Sequence, residues 1–108
     1  MPWTVSVTPE AEAELLAMPA DIQTRFLHIA ELLEAFGPHR VGMPHVRPLE
    51  GKLWEMRMTG RDGIARAVYV ARTGQRLTVL HVFTKKTQKI PRKAIETAHA
   101  RLRSLNDD

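Results

Sequence analysis

Apolar and polar residues alternate at the start of the chain, where Trp3, Val5 and Val7 interleave with Thr4 and Ser6. A period of two puts the apolar three on one face, which predicts a half-buried first strand. Thr8-Pro9-Glu10 follows as an N-cap, a first helical residue and an acid at the positive end of the helix dipole. It opens a short helix that turns Ala11, Leu15 and Met18 inward and ends at Pro19. From Asp21 onward Ile22, Phe26, Ile29, Leu33 and Phe36 recur at alternating intervals of four and three, closed by Gly37-Pro38. That is the spacing of a helix packed along one stripe with a glycine C-cap. Only Met18-Pro19-Ala20 separates the two helices, so an acidic antiparallel hairpin is expected.

Residues 39–51 hold Gly42, Pro44, Pro48 and Gly51 without a clear period and read as an exposed connection. Three strands are predicted beyond it, over Lys52 to Met58, Ile64 to Arg72 and Arg76 to Phe83, separated by Gly-containing tight turns. The last is apolar on both faces from Leu77 to Phe83, which suits a central strand. Pro91 introduces a final helix with Ala94, Ile95, Ala98, Leu102 and Leu105 on one face. The expected architecture is one α+β domain over residues 1–108, of order β-α-α-β-β-β-α. Its antiparallel sheet carries an N-terminal helical hairpin and a C-terminal helix.

Composition narrows the class. A chain of 108 residues with 44% hydrophobic and 26% charged residues is an ordinary globular domain with one core's worth of length. No apolar run reaches the roughly 20 residues of a membrane helix, and the first residues lack the features of a secretory signal, so a cytoplasmic protein without a membrane partner is expected. The absence of cysteine excludes disulfides and thiolate metal sites. His28, His39 and His45 have no metal-ligand spacing, and neither a metal nor another cofactor is expected. Charge is segregated: residues 1–50 carry a net −4 and the remainder a net +8. A positive field concentrated in one part of the molecule is what a phosphate-binding protein needs.

Three phrases carry a family resemblance. Leu53-Trp54-Glu55-Met56-Arg57, then Ala65-Arg66-Ala67-Val68-Tyr69, then Leu80-His81-Val82-Phe83-Thr84-Lys85-Lys86-Thr87-Gln88-Lys89-Ile90-Pro91 resemble, in order and spacing, successive strands of the phage-related HigB branch of the RelE/ParE toxin superfamily. The resemblance is strong over roughly residues 49–103. It implies the toxin of a type II toxin-antitoxin system, a ribosome-dependent mRNA endonuclease (mRNA interferase) that inhibits translation. The partners it implies are mRNA on the ribosome and a cognate antitoxin, usually a helix-turn-helix DNA-binding protein through which alone the pair meets DNA. Two other functions stand beside it. One is a ParE-like gyrase inhibitor acting through the helical part; the other is a non-catalytic module whose basic face only docks on an antitoxin or RNA.

RNA cleavage of this kind, metal-independent, sends the ribose 2′-hydroxyl against the adjacent phosphate and leaves a cyclic phosphate, which requires proton transfer and charge stabilisation. Arginine stays protonated, so Arg57 and Arg66 are candidates for holding phosphate charge. Lysine crowded by other cations can lose its proton, which makes Lys85 and Lys86 the candidates for acid-base or charge-stabilising work. Lys52, Lys89, Arg92 and Lys93 are expected to form an RNA-attracting rim. On the first meander strand Leu53, Glu55 and Arg57 share a face opposite Trp54, Met56 and Met58. Arg66 interrupts an apolar run and must face water or an anion. Trp54 reads as core, Tyr69 as a sheet residue with its hydroxyl at an edge, and His81 as a hydrogen-bonded structural histidine. Several superfamily nucleases place a helpful tyrosine near the last helix; Gln88 to Arg92 contains none, which leaves that role to Lys85 or Lys86 or the activity weak.

Overall fold

The computed structural model describes residues 2–84 and 89–105. Nine elements follow along these residues: β1 (Thr4–Val7), α1 (Pro9–Leu16), α2 (Ala20–Phe36), α3 (Pro38–Val41), β2 (Val46–Glu50), β3 (Leu53–Gly60), β4 (Gly63–Arg72), β5 (Arg76–Thr84) and α4 (Arg92–Ser104). The fold class is α+β, as the periodicities require. Local signals act where expected: the Thr8 hydroxyl accepts from Ala11 N at 3.2 Å, and α2 ends on Gly37 with φ +82°.

The sheet itself differs from the expectation in three ways. It is mixed rather than antiparallel, with strand order β1-β5-β4-β3-β2 and β1 parallel to β5. Three helices and the other three strands separate β1 from β5, a connection long enough to bring the chain back in the same direction. Residues 39–51 are not a mere connection, because they contain α3 and the edge strand β2, which pairs antiparallel with β3. Pro48 is tolerated there because an edge strand leaves one row of backbone groups unpaired. Finally, the two N-terminal helices lie mainly on the sheet: α1 packs against β5, and α2 against β3 and β1.

Two cores flank the sheet. On one face Met56, Met58, Ala65, Ala67, Tyr69, Leu77 and Val79 pack with Leu15 of α1 and Ile22, Phe26, Ile29 and Leu33 of α2. On the other face Leu53, Val68, Val70 and Leu80 pack with Ala94, Ile95 and Ala98 of α4. A bulge at Leu80 of β5 shifts the alternation, so that Val79 and Val82, three residues apart, face the same core while Leu80 joins the other. Strand alternation then decides what lies past the residues that α4 covers. Continuing from Leu53 on β3 and from Val70 and Val68 on β4, the same face carries Glu55, Arg57 and Arg66.

β1 spans only the start of β5, and the open edge beyond it is capped from the helices. Glu14 of α1 accepts from Val82 N at 2.9 Å, and Arg101 of α4 grips both Glu14 oxygens at 2.9 and 3.0 Å while donating to Leu80 O. His81 Nδ1 lies 3.1 Å from the same carboxylate, and its ring stacks on Phe83. It is a hydrogen-bonded structural histidine, as expected. Trp54 is a core residue, stacked on Tyr69 at 6.2 Å. The Tyr69 hydroxyl, expected at an edge, is instead buried without a hydrogen-bond partner among the described residues.

Candidate active site

Register brings Arg57 and Arg66 together, since they are direct cross-strand partners in the β3–β4 ladder. Arg57 is fixed at backbone level by its N–H, which donates to His45 O at 2.8 Å. Arg66 is only 3% exposed. The anion that its burial demands is internal: Glu55, also 3% exposed, lies on the same face two residues before Arg57. Glu55 Oε2 is in ion-pair contact with Arg66 Nε, and Oε1 accepts from Arg47 Nε at 2.6 Å. Both the charge of Glu55 and its contact with the side chain favour the protonated guanidinium of Arg66.

This cluster is not charge-balanced. Three guanidiniums, from Arg47, Arg57 and Arg66, line the same cavity as one carboxylate. Burial draws the Arg66 pKa below the ordinary arginine value; Glu55 opposes the shift, and the Arg57 and Arg47 cations add to it. Arg66 Nη1 is buried with no partner among the described residues. Leaving such a donor unmet costs about 1–3 kcal/mol, more when charged. The side chain lines a cavity of about 140 Å³ together with Arg47, Glu55, Arg57, His45 and Met43. At about 30 Å³ per water in the liquid, that is room for a phosphate-sized group. A small cavity with a net positive wall and an unmet buried donor can hold an oxyanion.

The other expected site residues sit apart from this pair. Lys52 occupies the turn between β2 and β3, five residues along the strand from Arg57, roughly 17 Å away at strand rise. Arg92, at the start of α4, donates to Glu50 at 3.0 Å near the same end of β3. Lys89 and Lys93 are exposed just before and within the first turn of α4. Lys85 and Lys86 lie outside the described residues. Among the described residues no group of three His, Cys, Asp or Glu is arranged to hold a metal ion. Glu55, Arg47 and His45 were not singled out as site residues from the sequence, although the parity of β3 already put Glu55 beside Arg57.

The family model for phage-derived Gp49-like proteins (DUF891) matches residues 13–103. The chain belongs to that family. Among solved structures, the Gp49-like chain is similar to the toxin-antitoxin complex RelBE2 from Mycobacterium tuberculosis, with TM-score 0.59 and 20% identity, covering 79% of this chain and 100% of that one. It is also similar to the archaeal RelE–RelB complex from Pyrococcus horikoshii OT3, with TM-score 0.60 and 24% identity over 78% and 96% of the two chains. A double arginine-to-alanine mutant of E. coli toxin RelE in the free state aligns with TM-score 0.63 and 13% identity over 94% and 99%. A search of curated protein sequences finds no significant match. The Gp49-like protein therefore has a RelE-like fold. Among the described residues no helix is long and apolar enough to cross a membrane.

Proposed function

We propose that the protein is the toxin of a type II toxin-antitoxin pair and cuts mRNA on the ribosome, with the Arg57–Arg66 cavity gripping the scissile phosphate. The observation that carries this reading is the Arg66 guanidinium, buried beside a second arginine, with an Nη1 at the wall of the cavity that has no partner among the described residues. A structural ion pair would have used that donor; a site awaiting an oxyanion leaves it open. The family and the RelE-like fold support the same reading.

In the reaction the 2′-oxygen forms a bond to phosphorus, the bond to the 5′-oxygen breaks, and a cyclic phosphate remains. Arg57 and Arg66 neutralise the non-bridging oxygens as charge develops, an effect worth about 3–4 kcal/mol per well-placed donor. Lys85 and Lys86 come directly after Thr84, the last residue of β5, in the sequence. They are our candidates for moving the protons. Lys52, Lys89, Arg92 and Lys93 supply long-range attraction to RNA rather than contacts in the cavity. The partner is an antitoxin, of helix-turn-helix type by resemblance, which masks the basic surface in the cytoplasm.

Inducing the chain alone and mapping the 5′ ends of transcripts tests this. Growth arrest with new ends at codon positions, abolished by Arg66→Ala, is the expected result. A DNA-damage response with intact transcripts would indicate gyrase inhibition instead, and unimpaired growth would leave only a binding module.

A further inference from the structure

Three arginines crowded into one cavity would repel one another and shift. The only carboxylate among the residues lining the cavity is Glu55, and it is fully committed: one oxygen takes Arg47 and the other takes Arg66. Glu55 sits mid-strand with its backbone fixed in both ladders, opposite Arg47 on β2 and Val68 on β4. Its side chain is 4% exposed, so the carboxylate has little room to move. It meets Arg66 at Nε, the inner edge of the guanidinium, and leaves Nη1 without a partner among the described residues.

We infer that Glu55 is a positioning residue: by holding Arg66 at Nε and Arg47 at the opposite oxygen, it sets the Arg66 guanidinium so that its Nη edge is the part offered to a phosphodiester. The inference rests on the reading that the cavity takes phosphate, and it adds a residue that does not itself touch the reacting atoms. A purely structural ion pair would stabilise the fold and do nothing else. A positioning carboxylate also determines the angle at which Arg66 meets the ligand, and misplacement of a contact by about 1 Å can cost on the order of 100-fold in rate. Anion charge also matters: a carboxylate that neutralises one of three guanidiniums still leaves the cavity attractive to a singly charged diester.

The test is a cycle of Glu55→Gln, Arg66→Gln and the double variant, assayed on ribosomes programmed with a defined mRNA. Expected is a fall in kcat of roughly 10- to 100-fold for Glu55→Gln with KM little changed, and a double variant no slower than Arg66→Gln alone. Cleavage by Glu55→Gln at the wild-type rate, or losses that multiply in the double variant, would overturn the proposal. Should Glu55→Gln alone fail to fold, the double variant replaces both partners by neutral amides, and its comparison with Arg66→Gln still decides. A second readout is independent of cleavage: the arginine side-chain NMR signals during titration with inorganic phosphate. The Arg66 signal should be protected and phosphate-responsive in the wild type and lose both properties in Glu55→Gln; equal responses in the two proteins refute the role. An inactive wild-type chain would count against the nuclease reading, while the phosphate titration would still judge Glu55.

Discussion

Arg57 and Arg66 face each other directly across β3 and β4, two permanent cations where a sheet ordinarily places an opposite-charge or apolar pair. Like charges in this relationship destabilise a sheet, and here the repulsion is offset only in part by Glu55. Replacing the half-buried member should therefore help the fold while harming the function. Arg57→Gln is expected to raise unfolding stability in urea by roughly 0.2–1 kcal/mol and to reduce RNA cleavage. A variant that is both less stable and fully active would break the link between this pair and function.

Tyr69 also holds a buried polar atom, outside the arginine cavity. Its hydroxyl is buried without a partner among the described residues, and burial pushes its pKa well up. Tyr69→Phe removes only that oxygen from a ring stacked on Trp54. Stability should stay level or rise by about 1 kcal/mol in thermal or urea unfolding; a loss of that size would mean that the hydroxyl has a partner.

Much of this architecture is legible in the chain because local signals agree with it. Thr8-Pro9 starts α1, Gly37 ends α2, and the glycine-marked turns separate β3, β4 and β5 as the periodicity requires. What escapes is whatever depends on partners distant in sequence. β2 has the composition of a loop, Val46-Arg47-Pro48-Leu49-Glu50, because an edge strand has neither an apolar run nor a need for every N–H. The direction of β1 depends on which strand it joins, and no residue of Thr4–Val7 encodes that. In the site, alternation shows that Glu55 and Arg57 share a face. Only the register shows Arg66 opposite Arg57 and Arg47 opposite Glu55, and so reveals the cluster of four.

The helices are tied across the sheet edge by Glu14, and this tie is sensitive to acid. Burial raises the Glu14 pKa, but hydrogen bonds from Arg101 and Val82 N–H and the proximity of His81 more than offset it, leaving the group below its ordinary 4.5. A carboxylate depressed in the folded state contributes stability that is present above its unfolded pKa and is lost as pH falls through the folded value. Glu50, held down by His99 and Arg92, acts in the same direction. Glu14→Gln should flatten the decline of stability below about pH 4.5. Arg101→Met should cost roughly 1–3 kcal/mol at neutral pH; unchanged acid unfolding in Glu14→Gln would refute the tie.

Gly60 marks where α2 meets the β3–β4 turn. A Cβ there would lie 2.7 Å from Ile22 Cδ1 and 2.9 Å from Asp21 Oδ2, while Asp21 accepts from Arg61 N at 2.6 Å. Gly60→Ala must displace a core isoleucine and this hydrogen bond together. A loss of about 1–3 kcal/mol in urea unfolding is expected, and a neutral result would show that the start of α2 yields freely.

The most direct test of the central claim is the single-turnover cleavage rate of a defined mRNA on purified ribosomes, compared between the wild-type chain and Arg66→Gln. A buried guanidinium that meets the scissile phosphate predicts cleavage by the wild type and a loss of about 100-fold or more in the variant, with the fold intact by circular dichroism. Cleavage by Arg66→Gln at the wild-type rate would contradict the account.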